Sequence, residues 1–127
     1  MVQLIHLSIK LLIWRSLIQF FLKKAGIEFI EQHKFPECKF KNKLLFDFYL
    51  PTLNLCIEYQ GEQHFHSVEA FGGSPYYEIC KKRDKIKKEF CEKNEIQLIT
   101  IDYNEDIKTK LLENIPECQI LIQGGQS

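Results

Sequence analysis

Two short apolar segments, separated by a four-residue connector, constrain the fold of this chain more than any other feature. The segments read LLFDFYL (residues 44–50) and LCIEYQ (residues 55–60), and the connector is Pro51-Thr52-Leu53-Asn54. Each segment has the length and apolar content of a β-strand, and proline and asparagine favour turns. The pattern predicts a β-hairpin.

The alternation of side chains along a strand places polar groups on one face of this hairpin. Glu58 and Gln60 are two residues apart and point to the same side. Asp47 is expected on the face opposite Phe46 and Phe48. The hairpin can therefore bring Asp47 close to Glu58 and Gln60.

The remaining segments predict a mixed α/β domain. Apolar residues at helical spacing predict a first helix from about Ser8 to Ala25, which Gly26 would end. Alternation over Ile27–Phe35 predicts a strand, followed by a polar connection through Pro36 to Lys43. The other expected elements are a helix over Tyr76–Asn94, a strand over Ile96–Ile101 and a short helix over Glu105–Asn114. The order α-β-β-β-α-β predicts an α/β fold with a central mixed sheet flanked by helices.

Composition favours one folded domain without structural disulfides. The 127 residues are 45% hydrophobic and 13% aromatic, which suits a single domain over residues 1–127, with its core at about 14–114 and a short flexible C-terminal tail. Seventeen basic and seventeen acidic residues cancel, so any electrostatic preference for a partner depends on their distribution. The five cysteines contain no CxxC pair, which favours free thiols over a zinc site or a disulfide framework.

The first 22 residues are strongly apolar, yet Lys10 and Arg15 interrupt them. No stretch reaches the roughly 18 uninterrupted apolar residues that a membrane-spanning helix needs. We therefore expect a soluble cytoplasmic protein with no membrane partner. A membrane-associated interaction protein is an alternative that depends on this segment alone.

The acidic residues of the hairpin suggest a metal site. An aspartate within LLFDFYL is costly to bury unless its charge is stabilised. Mg²⁺ prefers oxygen ligands and is often held by only one or two protein carboxylates, which Asp47 and Glu58 can supply. The amide of Gln60 can orient a water molecule but cannot take its proton. Alternatively, Asp47 bonds a backbone amide and Glu58 is an ordinary solvated strand residue.

Several separated motifs together resemble a known nuclease family. They are FDFYLP (46–51), LCIEYQGEQHF (55–65), FGG (71–73), RDKIKKEFC (83–91) and LITI (98–101). The chain resembles the PD-(D/E)xK nuclease superfamily, whose fold is restriction-endonuclease-like, over about residues 18 to 103. It is most similar to a branch found in phage and giant-virus proteins, related to very-short-patch-repair endonucleases and phage homing endonucleases.

The resemblance implies roles for five residues. Asp47 and Glu58 would bind Mg²⁺, with Mn²⁺ as the alternative, and Gln60 would lie beside them. His64 becomes a candidate general base or phosphate contact, and Asp84 a further acid of the site.

The resemblance also contains one departure. Homing and repair relatives often carry a glutamate on the first helix, and counting back from IEFIEQ places it near Trp14–Ser16. This chain has Arg15 there.

A basic segment, KKRDKIKK (81–88), carries six cations and one acid in an otherwise neutral protein. On a helix, Ile79, Ile86 and Phe90 would form its inward stripe. The cations form either an ordinary solvated face or a contact with phosphate groups, which supply sequence-independent affinity for nucleic acids. The candidate nucleic-acid-binding residues are Lys81, Lys82, Arg83, Lys85, Lys87 and Lys88.

The sequence therefore predicts a hydrolase, a divalent-metal-dependent endonuclease acting on DNA, with RNA and the choice of monomer or homodimer left open. The alternative is an inactive nucleic-acid-binding module on the same fold, which Arg15 favours. An inactive site is expected to leave Asp47 and Glu58 far apart or paired with a lysine. An active site is expected to direct both toward an open cleft.

Overall fold

The computed structural model describes residues 2–61 and 73–119. Its elements are α1 (Val2–Lys24), β1 (Ile30–Phe40), β2 (Asn42–Leu50), β3 (Leu55–Gln60), α2 (Gly73–Lys93), β4 (Gln97–Asp102), α3 (Ile107–Asn114) and a 3₁₀ turn (Pro116–Gln119). The predicted α/β class and the order α-β-β-β-α-β are confirmed. The described residues form two compact units: one is Phe29–Asn104, and the other comprises the residues up to Glu28 and from Glu105 onward.

The four strands form one mixed sheet in the order β1-β2-β3-β4. β1 pairs with β2 and β2 with β3 in antiparallel fashion, whereas β3 and β4 are parallel. The predicted hairpin is confirmed: the backbone N–H of Asn54 donates to the carbonyl of Pro51 at 3.2 Å, and the strands on either side pair. A parallel pair needs a crossover, and α2 lies in the connection between β3 and β4.

β1 is longer than predicted, and the expected polar connection from Pro36 to Lys43 is wrong. β1 continues to Phe40, and its pairing with β2 is irregular between Lys34 and Lys39. Lys34 pairs with Leu45 and Lys39 pairs with Lys43. Four residues of β1 therefore lie between these two pairs, but only one residue of β2. Because Pro36 falls in this irregularity, its missing N–H leaves no gap in a regular ladder.

The unit outside the sheet contains α1 and α3, whose residues contact each other. Buried side chains recur every three or four residues, as expected for helices packing through one face. They are Trp14, Ile18 and Leu22 of α1, Ile107 and Leu111 of α3, and Ile115 and Cys118, which follow α3. Gly26 ends α1 as predicted, with φ +73°. The N–H of Ile27 donates to the carbonyl of Leu22 at 2.9 Å and that of Gly26 to Lys23 at 3.1 Å, which is a Schellman motif. Within the described residues, no helix has the length and apolar character needed to cross a bilayer.

α2 packs against β1 and β4. A buried cluster joins this helix to the sheet through Cys38, Leu44, Phe46, Cys56, Cys91 and Ile96. All five cysteines are buried free thiols, as predicted. The predicted inward stripe of α2 is only partly right, because Ile86 and Phe90 pack on this cluster whereas Ile79 is 39% exposed.

α2 ends in a second Schellman motif built on a residue other than glycine. The N–H of Ile96 donates to the carbonyl of Cys91 at 2.8 Å, and Glu95 adopts φ +56°. A side chain in this left-handed conformation costs about 1 kcal/mol relative to glycine.

We expect Glu95→Gly to raise the free energy of unfolding by about 0.5–1 kcal/mol, because glycine adopts this conformation without the steric cost. Guanidinium denaturation followed by circular dichroism measures the change. The matched control is Glu89→Gly in the helix interior, which should lower stability by about 1 kcal/mol. Equal destabilisation by both substitutions would contradict the strain at Glu95.

Candidate functional site

Two crossed hydrogen bonds join β2 and β3 at the acidic residues. The backbone N–H of Asp47 donates to Glu58 Oε2 at 3.1 Å, and the backbone N–H of Tyr59 donates to Asp47 Oδ2 at 2.7 Å. The regular backbone pairing of the two strands ends at Phe48 and Ile57. Each carboxylate thus accepts a backbone hydrogen bond from the opposite strand, just beyond the regular ladder.

The alternation of side chains along β2 is interrupted at Asp47. Phe46 packs with Cys56 and Cys91 on the α2 side of the sheet. Phe48 is paired with Ile57, whose side chain must lie on the face opposite that of Cys56. The prediction that Asp47 and Glu58 meet is confirmed, but the prediction that Phe46 and Phe48 share a face is wrong. An irregular backbone at Asp47 removes the strict two-residue period.

Lys87 of α2 completes the group. Its Nζ makes an ion pair with Glu58 Oε1, and their side chains are only 15% and 11% exposed. The same Nζ lies 5.2 Å from the centroid of the Phe46 ring. The Lys87 ammonium group therefore contacts both an aromatic ring and a carboxylate, at a site largely removed from water. We call Asp47, Glu58 and Lys87 the acid–lysine group.

The pKa of Glu58 is raised from its usual value to about 8. Burial is the largest cause, and the nearby Asp47 carboxylate adds to it. Lys87 acts in the opposite direction but does not outweigh them. The acid–lysine group therefore favours a proton on Glu58, because burial and the neighbouring carboxylate both oppose its charge.

A cavity of about 410 Å³ adjoins this group. Glu58, Gln60, Asp84, Lys87, Lys88 and Thr100 are among the residues that line it. Thr100 lies beside Glu58 in the parallel β3–β4 pair, and Asp102 lies beside Gln60. The carboxyl ends of β3 and β4 therefore supply one wall of the cavity, and α2 supplies another.

The structure brings together most of the predicted catalytic residues. Glu58, Gln60 and Asp84 line the cavity, whereas the Asp47 carboxylate contacts the backbone of Tyr59 and is not among the lining groups. His64 lies outside the described residues. Arg15 is exposed, with its guanidinium carbon 5.3 Å from the centroid of the Trp14 ring, so its proposed correspondence to a catalytic glutamate stays a prediction.

The six predicted nucleic-acid-binding cations differ in their surroundings. Lys87 is turned inward, and Lys88 lines the cavity. Lys85 Nζ is 3.9 Å from Glu89, and Lys81 Nζ lies 4.8 Å from the centroid of the Tyr77 ring. Lys82 and Arg83 are exposed.

The sequence analysis grouped Lys87 with five other cations, as a solvated face or a phosphate contact, and so did not predict its ion pair with Glu58. A usable signal was present: Cys80, Asp84, Lys87 and Cys91 recur at spacings of four, three and four, which place them on one side of a helix. Cys80 and Cys91 are buried. A lysine between a buried cysteine and an aspartate on that stripe is expected to need a partner.

The donor atoms of the site suit a hard divalent cation better than a soft one. The cavity offers carboxylate oxygens, the amide of Gln60 and the hydroxyl of Thr100, with the buried thiol of Cys91 as a soft group. Among the described residues there is no cluster of three or more histidine, cysteine, aspartate or glutamate side chains arranged to hold a metal. A hard cation here would have Asp47 and Glu58 as its carboxylate ligands and would keep several waters, as Mg²⁺ often does.

Comparison with known proteins gives one viral relative. The chain is 34% identical over 77 residues to uncharacterized protein 307L of Invertebrate iridescent virus 6, a match that covers 54% of this chain and 36% of that protein. The chain thus spans about a third of the length of this relative. No family profile and no solved structure matches.

The raised pKa of Glu58 predicts that stability falls as pH rises. Between its usual pKa of 4.5 and about 8, the folded state binds more protons at Glu58 than the unfolded state does. The free energy of unfolding should therefore decrease across this interval, by up to a few kcal/mol. Urea denaturation at pH 5, 6.5 and 8 measures the trend.

Glu58→Gln should flatten this dependence, because glutamine keeps the acceptor for Lys87 but does not titrate. Glu92→Gln, an exposed residue of the same cavity, serves as the control and should keep the wild-type slope. An unchanged slope in the Glu58 variant would contradict the shift.

Proposed function

We propose that this chain is a divalent-metal-dependent endonuclease that hydrolyses phosphodiester bonds in DNA on a restriction-endonuclease-like core. The acid–lysine group beside an open cavity is the observation that carries this proposal. The viral relative is itself uncharacterized, so it assigns no activity to this chain.

Charge balance is the main physical support. Asp47 and Glu58 lie close together across β2 and β3, and Lys87 pairs with Glu58. The raised pKa of Glu58 indicates that Lys87 does not outweigh burial and the neighbouring carboxylate. Such a site gains stability from a second cation. A bound Mg²⁺ would polarise the scissile phosphate and lower the pKa of an attacking water.

The protein groups around the cavity would take separate roles. Asp47 and Glu58 would hold the cation, and Gln60 would orient the water by accepting or donating a hydrogen bond. Lys87 is placed to donate to a phosphate oxygen once a cation competes for Glu58, which would stabilise the charge that develops there. A proton acceptor for the water is still required, and Asp84, which lines the cavity together with Glu92, would take that role.

The Lys87–Glu58 ion pair also favours a second candidate, an inactive nucleic-acid-binding module. A lysine that permanently replaces the metal would silence the site while leaving the fold intact. The first candidate is preferred because Glu58 and Lys87 line a cavity and a bound cation would offset the burial that opposes the charge of Glu58. The pairing of Glu58 with Lys87, and a cavity lining that does not include Asp47, are the features expected of an inactive site and favour the second candidate. The two candidates differ in whether the protein cuts DNA.

Cleavage of supercoiled plasmid and of single-stranded DNA in Mg²⁺ or Mn²⁺ tests the proposal, with EDTA as the blank. Asp47→Asn should lower the cleavage rate by about 100-fold or more, because it removes charge at the metal site. Asparagine retains an oxygen that can accept from Tyr59 N–H, so the crossed hydrogen bonds can survive. Glu92→Gln is the matched control and should cut normally.

Two outcomes would contradict the proposed endonuclease activity. Equal cutting by wild type and Asp47→Asn would assign the activity to a contaminant or another site. Metal-independent DNA binding without any cutting would instead establish the inactive module.

Metal binding should also release protons. At pH 7 Glu58 is largely protonated, given its pKa of about 8, and a cation must displace that proton. We expect about one proton released per Mg²⁺ at pH 7 and less at pH 9. Titration calorimetry in buffers of different ionisation enthalpy measures this number. Glu58→Gln should release none, and release equal to wild type would exclude Glu58 as a ligand.

A further inference from the structure

A second cavity, of about 360 Å³, lies beside the first and is strongly basic. Its charged lining residues are Lys41, Lys43, Arg83 and Lys87, and no acidic side chain lines it. The first two residues belong to the tip of the β1–β2 hairpin, and the other two belong to α2. We call this cavity the hairpin cleft.

The hairpin cleft adjoins the cavity beside the acid–lysine group, and Lys87 lines both. Arg83 precedes Lys87 by four residues, so it lies on the same side of α2, about 6 Å away along the helix axis. A chain of phosphates that followed this side of α2 would therefore pass from Arg83 to Lys87 and on to Glu58.

The tip of the β1–β2 hairpin carries lysines at positions that are locally unfavourable for them. Lys39 and Lys43 are directly opposite in the β1–β2 pair, where like charges are unfavourable. Lys41, at the turn, adopts φ +71°, a conformation that favours glycine or asparagine. Among the described residues, no carboxylate lies within ion-pair distance of Lys39, Lys43 or Arg83.

We propose that the hairpin cleft binds the phosphate backbone of a DNA strand and guides it past Lys87 to the acid–lysine group. The ligand is a polyanion because three of the four cations that line the cleft have no carboxylate partner among the described residues, whereas the fourth, Lys87, pairs with Glu58. Unpaired cations of this kind supply affinity by releasing counterions from nucleic acid. This inference rests on the proposed function in taking DNA as the ligand. It adds Lys41 and Lys43, on the hairpin, to the binding surface.

The test is a binding measurement in EDTA, so that cleavage does not contribute. Fluorescence anisotropy follows a labelled DNA duplex of about 20 base pairs across a range of salt concentrations. The variant is Lys41→Gly with Lys43→Gln, in which glycine suits the positive φ and so removes charge without straining the turn. The control is Lys93→Gln with Lys108→Gln, which removes the same charge from two exposed residues that do not line the cleft.

The cleft variant should bind roughly tenfold more weakly at low salt, with a salt dependence reduced by about two phosphate contacts. The control should remain within about twofold of wild type. Circular dichroism melting of both variants verifies that they are folded. Equal DNA affinity of the two variants, or no DNA binding by wild type, would show that the hairpin cleft does not bind DNA.

A parallel cleavage assay separates this inference from the proposed function. If wild type cuts DNA and the cleft variant binds like the control, only the cleft is wrong. If the cleft variant loses affinity for DNA while wild type never cuts it, the cleft binds DNA but the proposed endonuclease activity is wrong.

Discussion

The buried acid–lysine group is the constraint on which the arrangement of the central unit depends. Asp47 and Glu58 lie where regular pairing of β2 and β3 gives way, and their carboxylates accept the backbone N–H groups of the opposite strands. A buried carboxylate without such partners would be strongly unfavourable. The crossed bonds therefore satisfy two backbone donors and hold two negative charges close together.

That concentration of charge explains the position of α2. Lys87 must reach Glu58, and the neighbouring buried cluster around Cys91 holds the helix against the sheet at the required rotation. Hydrophobic packing and electrostatics thus specify the same register of α2. Replacing Lys87 with an apolar residue would leave the packing possible but would expose Glu58 and Asp47 to each other without compensation.

The two cavities differ in charge, and Lys87 lines both. The first has three acidic and two basic lining residues, whereas the hairpin cleft has four basic lining residues and no acidic one. The proposed endonuclease would need both, since a metal site must attract a cation and a path for the DNA backbone must be positive. In a chain with no net charge, the separation arises entirely from where the charges lie.

Local patterns in the sequence determined the order of helices and strands, the β2–β3 hairpin, the end of α1 at Gly26 and the meeting of Asp47 with Glu58. These features follow from periodicity and turn chemistry, which act over a few residues. Only the tertiary structure decided the extension of β1 past Pro36, the interrupted alternation at Asp47 and the inward turn of Lys87. Each of these depends on which segments pack together, because a strand irregularity or a buried lysine is tolerated only where a distant residue supplies the missing contact or charge.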